Sequence, residues 1–192
     1  MANNIRIVST YPPRKCGIGT FSRDLSTALE NFSSEVGSIR IAAIDNSNLP
    51  YDIPVDMVID QYDSNSWQNA ASAILDKASN ASDRTVIVLQ HEYGLDGLEG
   101  QGRNYVKMAE RFTENNLTVL VYLHTVLDDP DEHQQGIIRQ LAEYSDGLIV
   151  TTESAVQILQ SPAYGVPDSK LKHIDHGIRM QLRSYYDRFE IK

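Results

Sequence analysis

The chain has very little cysteine. Cys16 is the single one among 192 residues, so no internal disulfide forms, and a reducing, cytoplasmic compartment is the expectation. Long apolar runs are also missing. None approaches the roughly 18 residues that a membrane-spanning helix needs, and no basic, apolar leader precedes the first strand pattern. Basic residues are few: 17 Lys and Arg against 26 Asp and Glu give a formal net charge of −9. A nucleic-acid partner selects a basic face, so that class is disfavoured. Ligand arithmetic for a metal is poor as well, because no i, i+4 histidine pair and no cysteine cluster occurs; no metal is expected.

What is present is an alternation. Strand-length apolar runs occur at Ile5–Ser9, Ile39–Ile44, Met57–Ile59, Thr85–Gln90, Thr118–Leu123, Leu148–Thr151 and Leu171–Ile174. Helical patterns fall between them at Phe21–Asn31, Ser66–Ser79, Gly102–Asn115, Asp131–Tyr144 and Ser154–Leu159. Several strand runs are continuously apolar, which suits strands buried on both faces of a parallel sheet. The pattern predicts an α/β, doubly wound, mainly parallel sheet with helices on both faces, Rossmann-like. Residues 1–178 would form this domain, and residues 179–192 a C-terminal tail or linker stub. The turn-rich stretch Asn46–Pro54 and the glycine-rich stretch Gly94–Gly102 read as loops.

In such sheets ligands sit at the carboxyl ends of the strands, and four strand ends carry polar groups. After Ile5–Ser9 the chain from Tyr11 to Phe21 reads Tyr-Pro-Pro-Arg-Lys-Cys-Gly-Ile-Gly-Thr-Phe. This is strand, glycine turn, helix, the arrangement that presents free amides and a positive dipole end to an anionic oxygen cluster. Gly17, Ile18 and Gly19 are the candidate phosphate contacts; an unliganded tight turn fits the same residues. The full G-x-G-x-x-G is incomplete, which disfavours a nicotinamide-dependent oxidoreductase. The other three ends carry Gln90, His91, Glu92 and Tyr93; then His124 and Thr125; then Asp175, His176 and Gly177. Three of the five histidines thus lie beyond strand ends, and His91, His124 and His176 are expected to share one crevice. Asp128, Asp129, Asp131 and Glu132 read as first-turn acids around Pro130. Cys16 beside the glycines has the setting of an acidified thiol but no evident base.

These motifs, in this order and from about residue 4 to residue 178, resemble the N-terminal domain of GT-B retaining glycosyltransferases of family 4. Thr151 to Ser154, Tyr164 to Asp168 and Ile174 to Ile178 extend the resemblance. It implies a nucleotide-sugar-dependent enzyme without cofactor or metal, taking a donor such as a UDP- or GDP-sugar and a carbohydrate or glycolipid acceptor. On that resemblance Gly17, Ile18 and Gly19 approach the donor diphosphate, with Cys16 where a further glycine is common. His124 is the catalytic histidine near the transferred sugar. Arg14, Lys15, His91, Glu92 and Tyr93 face the acceptor, and His176 and Gly177 form the hinge into a donor-binding domain. With that domain absent, the chain would be inactive alone and would work with a separate donor-domain subunit. The alternative is a non-catalytic Rossmann-like ligand-binding or interaction module.

Overall fold

The structure is a computed structural model and describes residues 2–32, 34–97 and 101–177. Seven strands form one parallel sheet in the order β3-β2-β1-β4-β5-β6-β7. They are β1 (Asn3–Ser9), β2 (Val36–Asp45), β3 (Val55–Asp60), β4 (Arg84–His91), β5 (Thr118–Leu123), β6 (Gly147–Val150) and β7 (Leu171–His173). The helices are α1 (Gly17–Phe32), α2 (Ser64–Ser79), α3 (Arg103–Glu114), α4 (Glu132–Glu143) and α5 (Glu153–Gln160). This is the doubly wound α/β fold that the alternation predicts. The tail assigned to residues 179–192 lies outside the described residues.

Side chains of a strand alternate between the two faces, and each face has its own core. On one face, Leu25 and Leu29 of α1 pack on Ile7, Ile39, Ile41 and Ala43. On the other, Trp67 of α2, Tyr105, Met108 and Phe112 of α3, and Ile138 and Leu141 of α4 cover Val8, Ile87, Leu89, Val119 and Val121. Trp67, Tyr105 and Phe112 are fully buried, and a buried side chain of the Leu or Phe class contributes roughly 1.5–3 kcal/mol.

Local sequence fixes the helix starts. Asp63 accepts from the Asn65 amide ahead of α2, Asp131 and Gln134 form a capping box ahead of α4, and Thr152 accepts from the Ala155 amide ahead of α5. Helix α3 begins after Gly102, which cannot cap it. Buried Asp96 does so from a distance, accepting from the Gly102 amide at 2.7 Å and the Asn104 amide at 3.0 Å. Gly102 has φ +93°, and a Cβ there would sit 2.6 Å from Cγ2 of Ile137. Both facts demand glycine.

Strand order reverses between β1 and β4. The connection from β1 leads outward to β2, whereas β4 leads the other way to β5. Their carboxyl ends therefore flank the crevice where open α/β sheets take ligands.

Candidate functional site at the carboxyl edge of the sheet

Helix α1 starts at Gly17, four residues before the apolar periodicity begins. The Thr20 amide donates to the Cys16 carbonyl at 3.1 Å, so Cys16 is the residue from which the helix springs. Its Sγ accepts from the Thr10 hydroxyl at 3.4 Å and meets the amides of Gly19 and Ile18. Burial pushes this thiol up. Thr10, the two amides and the charge of Arg14 more than offset that and leave it below its ordinary value.

The two glycines differ. A Cβ on Gly19 would lie 3.3 Å from the Tyr11 nitrogen and 3.4 Å from Thr10 Oγ1, so Gly19 lets α1 close on the end of β1. Beneath it the hydroxyls of Ser9 and Ser22 share a hydrogen bond of 2.6 Å. A Cβ on Gly17 would meet nothing within 4 Å, and its backbone is not left-handed. The fold alone does not require glycine there.

The turn and His124 lie on the same rim. Phe21, in the second turn of α1, puts its ring 5.1 Å from that of His124, 4.9 Å from Tyr122 and 5.3 Å from His176. His124 follows β5, and its amide donates to the His91 carbonyl at 3.1 Å, continuing the ladder one step beyond the strand. Its Nε2 lies 2.6 Å from Oε1 of Gln90. Burial, then the nearby His176, pulls His124 down to about 4. Near neutral pH the imidazole is uncharged.

His91 does not join this group. Gln90 and His91 are adjacent, so they point to opposite faces. Gln90 goes toward α1 and His124. His91 goes into the larger core, edge-on to the rings of Tyr93 and Tyr105 at 5.1 and 5.3 Å. It is fully buried with neither ring nitrogen hydrogen-bonded, and burial, then His124, lowers it to about 3. The expected cluster of three histidines is therefore a pair, His124 and His176, and both border Phe21. Gln90 stood among the polar strand-end residues of the sequence but was given no role there. The signal for it was the period-two alternation, which sets it beside His124.

Arg14 is a tether rather than a free cation. Its guanidinium donates to the Ile44 carbonyl at 3.0 Å and to Gln61 Oε1 at 2.8 Å, and Gln61 Nε2 donates to the Gly94 carbonyl at 2.8 Å. One chain of bonds joins the ends of β1, β2, β3 and β4. Lys15 is exposed beside it. Glu92 is held at both oxygens, by the Thr125 hydroxyl at 2.6 Å and the Tyr93 amide at 2.9 Å. The Tyr93 ring packs on His91, and burial, with Tyr164 beside it, pushes its phenol up. His176 is exposed, its Nδ1 3.0 Å from the Gly177 carbonyl.

A separate groove of about 510 Å³ runs between α3 and α4, lined by Arg103, Lys107, Glu110 and His133 among others; none of its lining comes from β1, β4 or β5. Among the described residues no helix is long and apolar enough to cross a membrane.

Fold and site together define a Rossmann-like α/β domain with the Gly17 turn, Phe21 and His124 at the switch point of its sheet. No family model matches the chain, and no curated protein matches it. A solved structure that is similar is the spore cortex-lytic enzyme SleL of Bacillus megaterium. It is 12% identical over 90% of this chain and 50% of that one, with a TM-score of 0.45. The chain thus spans half the length of that structure, and nothing about function follows from so distant a likeness. The resemblance to family 4 glycosyltransferases is overturned, because no family model matches the chain. The physical reason is that a glycine turn between the first strand and the first helix is a local geometry that sheets of this order use at the switch point for many ligands, so it does not by itself mark one family.

Proposed function

We propose that the crevice between the start of α1 and the end of β5 binds a hydroxyl-rich ligand of the carbohydrate class bearing a phosphoryl group. The observation that carries this reading is the pairing of two chemistries on one rim. The Gly17 turn offers a helix amino terminus with room for close approach, and His124 offers a neutral imidazole about one ring's width beyond Phe21. A phosphate suits the first. A sugar hydroxyl suits the second, because a neutral imidazole nitrogen accepts a hydrogen bond from a hydroxyl and stays uncharged. The Phe21 ring, packed against both His124 and His176, supplies an apolar surface beside the imidazole.

Toward a ligand of that class the chain would contribute positioning and charge stabilisation rather than a nucleophile. A non-catalytic binding module would use the same crevice.

Isothermal titration calorimetry with glucose 1-phosphate, methyl glucoside and inorganic phosphate tests the ligand class. The proposal expects glucose 1-phosphate to bind more tightly than either fragment, and His124→Ala to remove that advantage while leaving phosphate binding in place. Equal binding of all three, or none, would overturn it.

A further inference from the structure

Gln90 is fully buried one residue before the end of β4. Its main chain is clamped, because the buried Tyr105 hydroxyl of α3 donates to the Gln90 carbonyl at 2.9 Å. In the ladder it stands opposite Tyr122 of β5, whose ring packs 5.1 Å from that of His124. Its side-chain Oε1 meets His124 Nε2 at 2.6 Å. Its Nε2 is buried with no partner, and leaving a buried donor unmade is costly. Had this contact served packing alone, an apolar side chain would avoid that cost. The carboxamide is retained at a loss, and the group it serves is the imidazole.

We propose that Gln90 is a positioning residue for His124, fixing the imidazole as the Nε2–H tautomer so that bare Nδ1 is turned to the crevice as the acceptor for a ligand hydroxyl. An amide oxygen only accepts, so the 2.6 Å contact requires the proton on Nε2. Among the described residues no protein hydrogen bond reaches Nδ1, and it is not among the fully buried polar atoms. Phe21, edge-on at an interplanar angle of 86°, holds the ring plane from α1. The ring is thus set by three elements, with one nitrogen spent inward and one left outward. A hydrogen bond to one ring nitrogen decides which nitrogen of a histidine is available to a ligand. The inference rests on the ligand class proposed above only for what Nδ1 meets.

Nitrogen-15 NMR of the intact, histidine-labelled chain tests it without any ligand. The expected spectrum shows His124 protonated on Nε2 alone, with a slowly exchanging Nε2 proton. Gln90→Met, close in shape, should let both tautomers appear and speed that exchange. Gln90→Glu keeps the shape and adds a carboxylate, so it should restore the Nε2 proton and raise the pH at which His124 titrates. The titratable groups facing His124 are Tyr122 on β5, His91 behind it on β4 and His176 beyond β7; Phe21 and Gln90 carry no charge. Glucose 1-phosphate affinity should fall roughly tenfold in Gln90→Met, the equivalent of one ordinary hydrogen bond. An Nδ1–H tautomer in the wild type, or an unchanged tautomer and exchange rate in Gln90→Met, would overturn the proposal. Should glucose 1-phosphate fail to bind the wild type, the ligand class falls while the tautomer measurement still decides the role of Gln90.

Discussion

The ring of Phe21 stands edge-on to the imidazole of His124, their centroids 5.1 Å apart. One residue belongs to the helix that follows β1 and the other to the end of β5, so this contact joins the glycine turn to the histidine across the switch point of the sheet. Phe21→Ala removes it together with the contacts to Tyr122 and His176. The ring is only half-buried, so the loss falls below that of a core phenylalanine, at about 1–3 kcal/mol. Urea denaturation measures it; a change under about 0.5 kcal/mol, the scale of an ordinary surface substitution, would show that the ring does not brace the site.

The two glycines of the turn separate fold from function. Gly19→Ala brings a Cβ within 3.3 Å of the Tyr11 nitrogen and should destabilise the domain by about 1 kcal/mol. Gly17→Ala meets nothing within 4 Å and gains helix propensity, so stability should hold or rise by up to about 1 kcal/mol. Its affinity for glucose 1-phosphate should fall, because a methyl group would hold the phosphate away from the amides. A Gly17→Ala variant that binds like the wild type would show that the ligand does not approach there.

Acid should destabilise the domain through two histidines. The folded values, about 3 for His91 and about 4 for His124, lie below the ordinary 6.5 of an unfolded chain. Below pH 6.5 the unfolded state binds protons that the folded state refuses. The stability present above pH 6.5 is therefore lost as pH falls, with the loss complete near pH 4 for His124 and near pH 3 for His91. Each group contributes about 1.4 kcal/mol per pH unit inside its window. Urea midpoints at pH 7 and pH 5 should differ, and His91→Leu should reduce the difference by about half. An unchanged slope in that variant would contradict the burial of a neutral His91.

Helix α3 depends on a cap from outside its own sequence neighbourhood. Asp96→Ala strands the Gly102 and Asn104 amides in a buried place, at a cost of about 1–3 kcal/mol. Asp96→Asn keeps one acceptor oxygen and should lose less. Thermal melts of both variants decide it; equal losses would mean that the carboxylate fills space rather than caps.

The fold was legible because the sheet is parallel and buried on both faces. Runs such as Val119 to Leu123 show it without ambiguity, and the observed β5 has the bounds that periodicity predicts, Thr118–Leu123. The start of α1 was not legible, since apolar periodicity begins at Phe21 while the helix begins at Gly17. The extra turn is held by Cys16, a residue with no usual standing as a cap. The site was half legible. Strand-end position put His124 and His176 on one rim, where both border Phe21, whereas His91 was assigned beside them although alternation sends it to the opposite face. Arg14 read as an acceptor contact because nothing local reveals that Ile44 and Gln61, 30 and 47 residues away, receive its guanidinium.

Site-resolved NMR titration with glucose 1-phosphate shows whether the turn and His124 act as one site. The Gly17, Ile18 and Gly19 amides and the His124 ring should shift together along one isotherm, with the α3–α4 groove unmoved. Shifts confined to one side of Phe21, or centred on that groove, would contradict it.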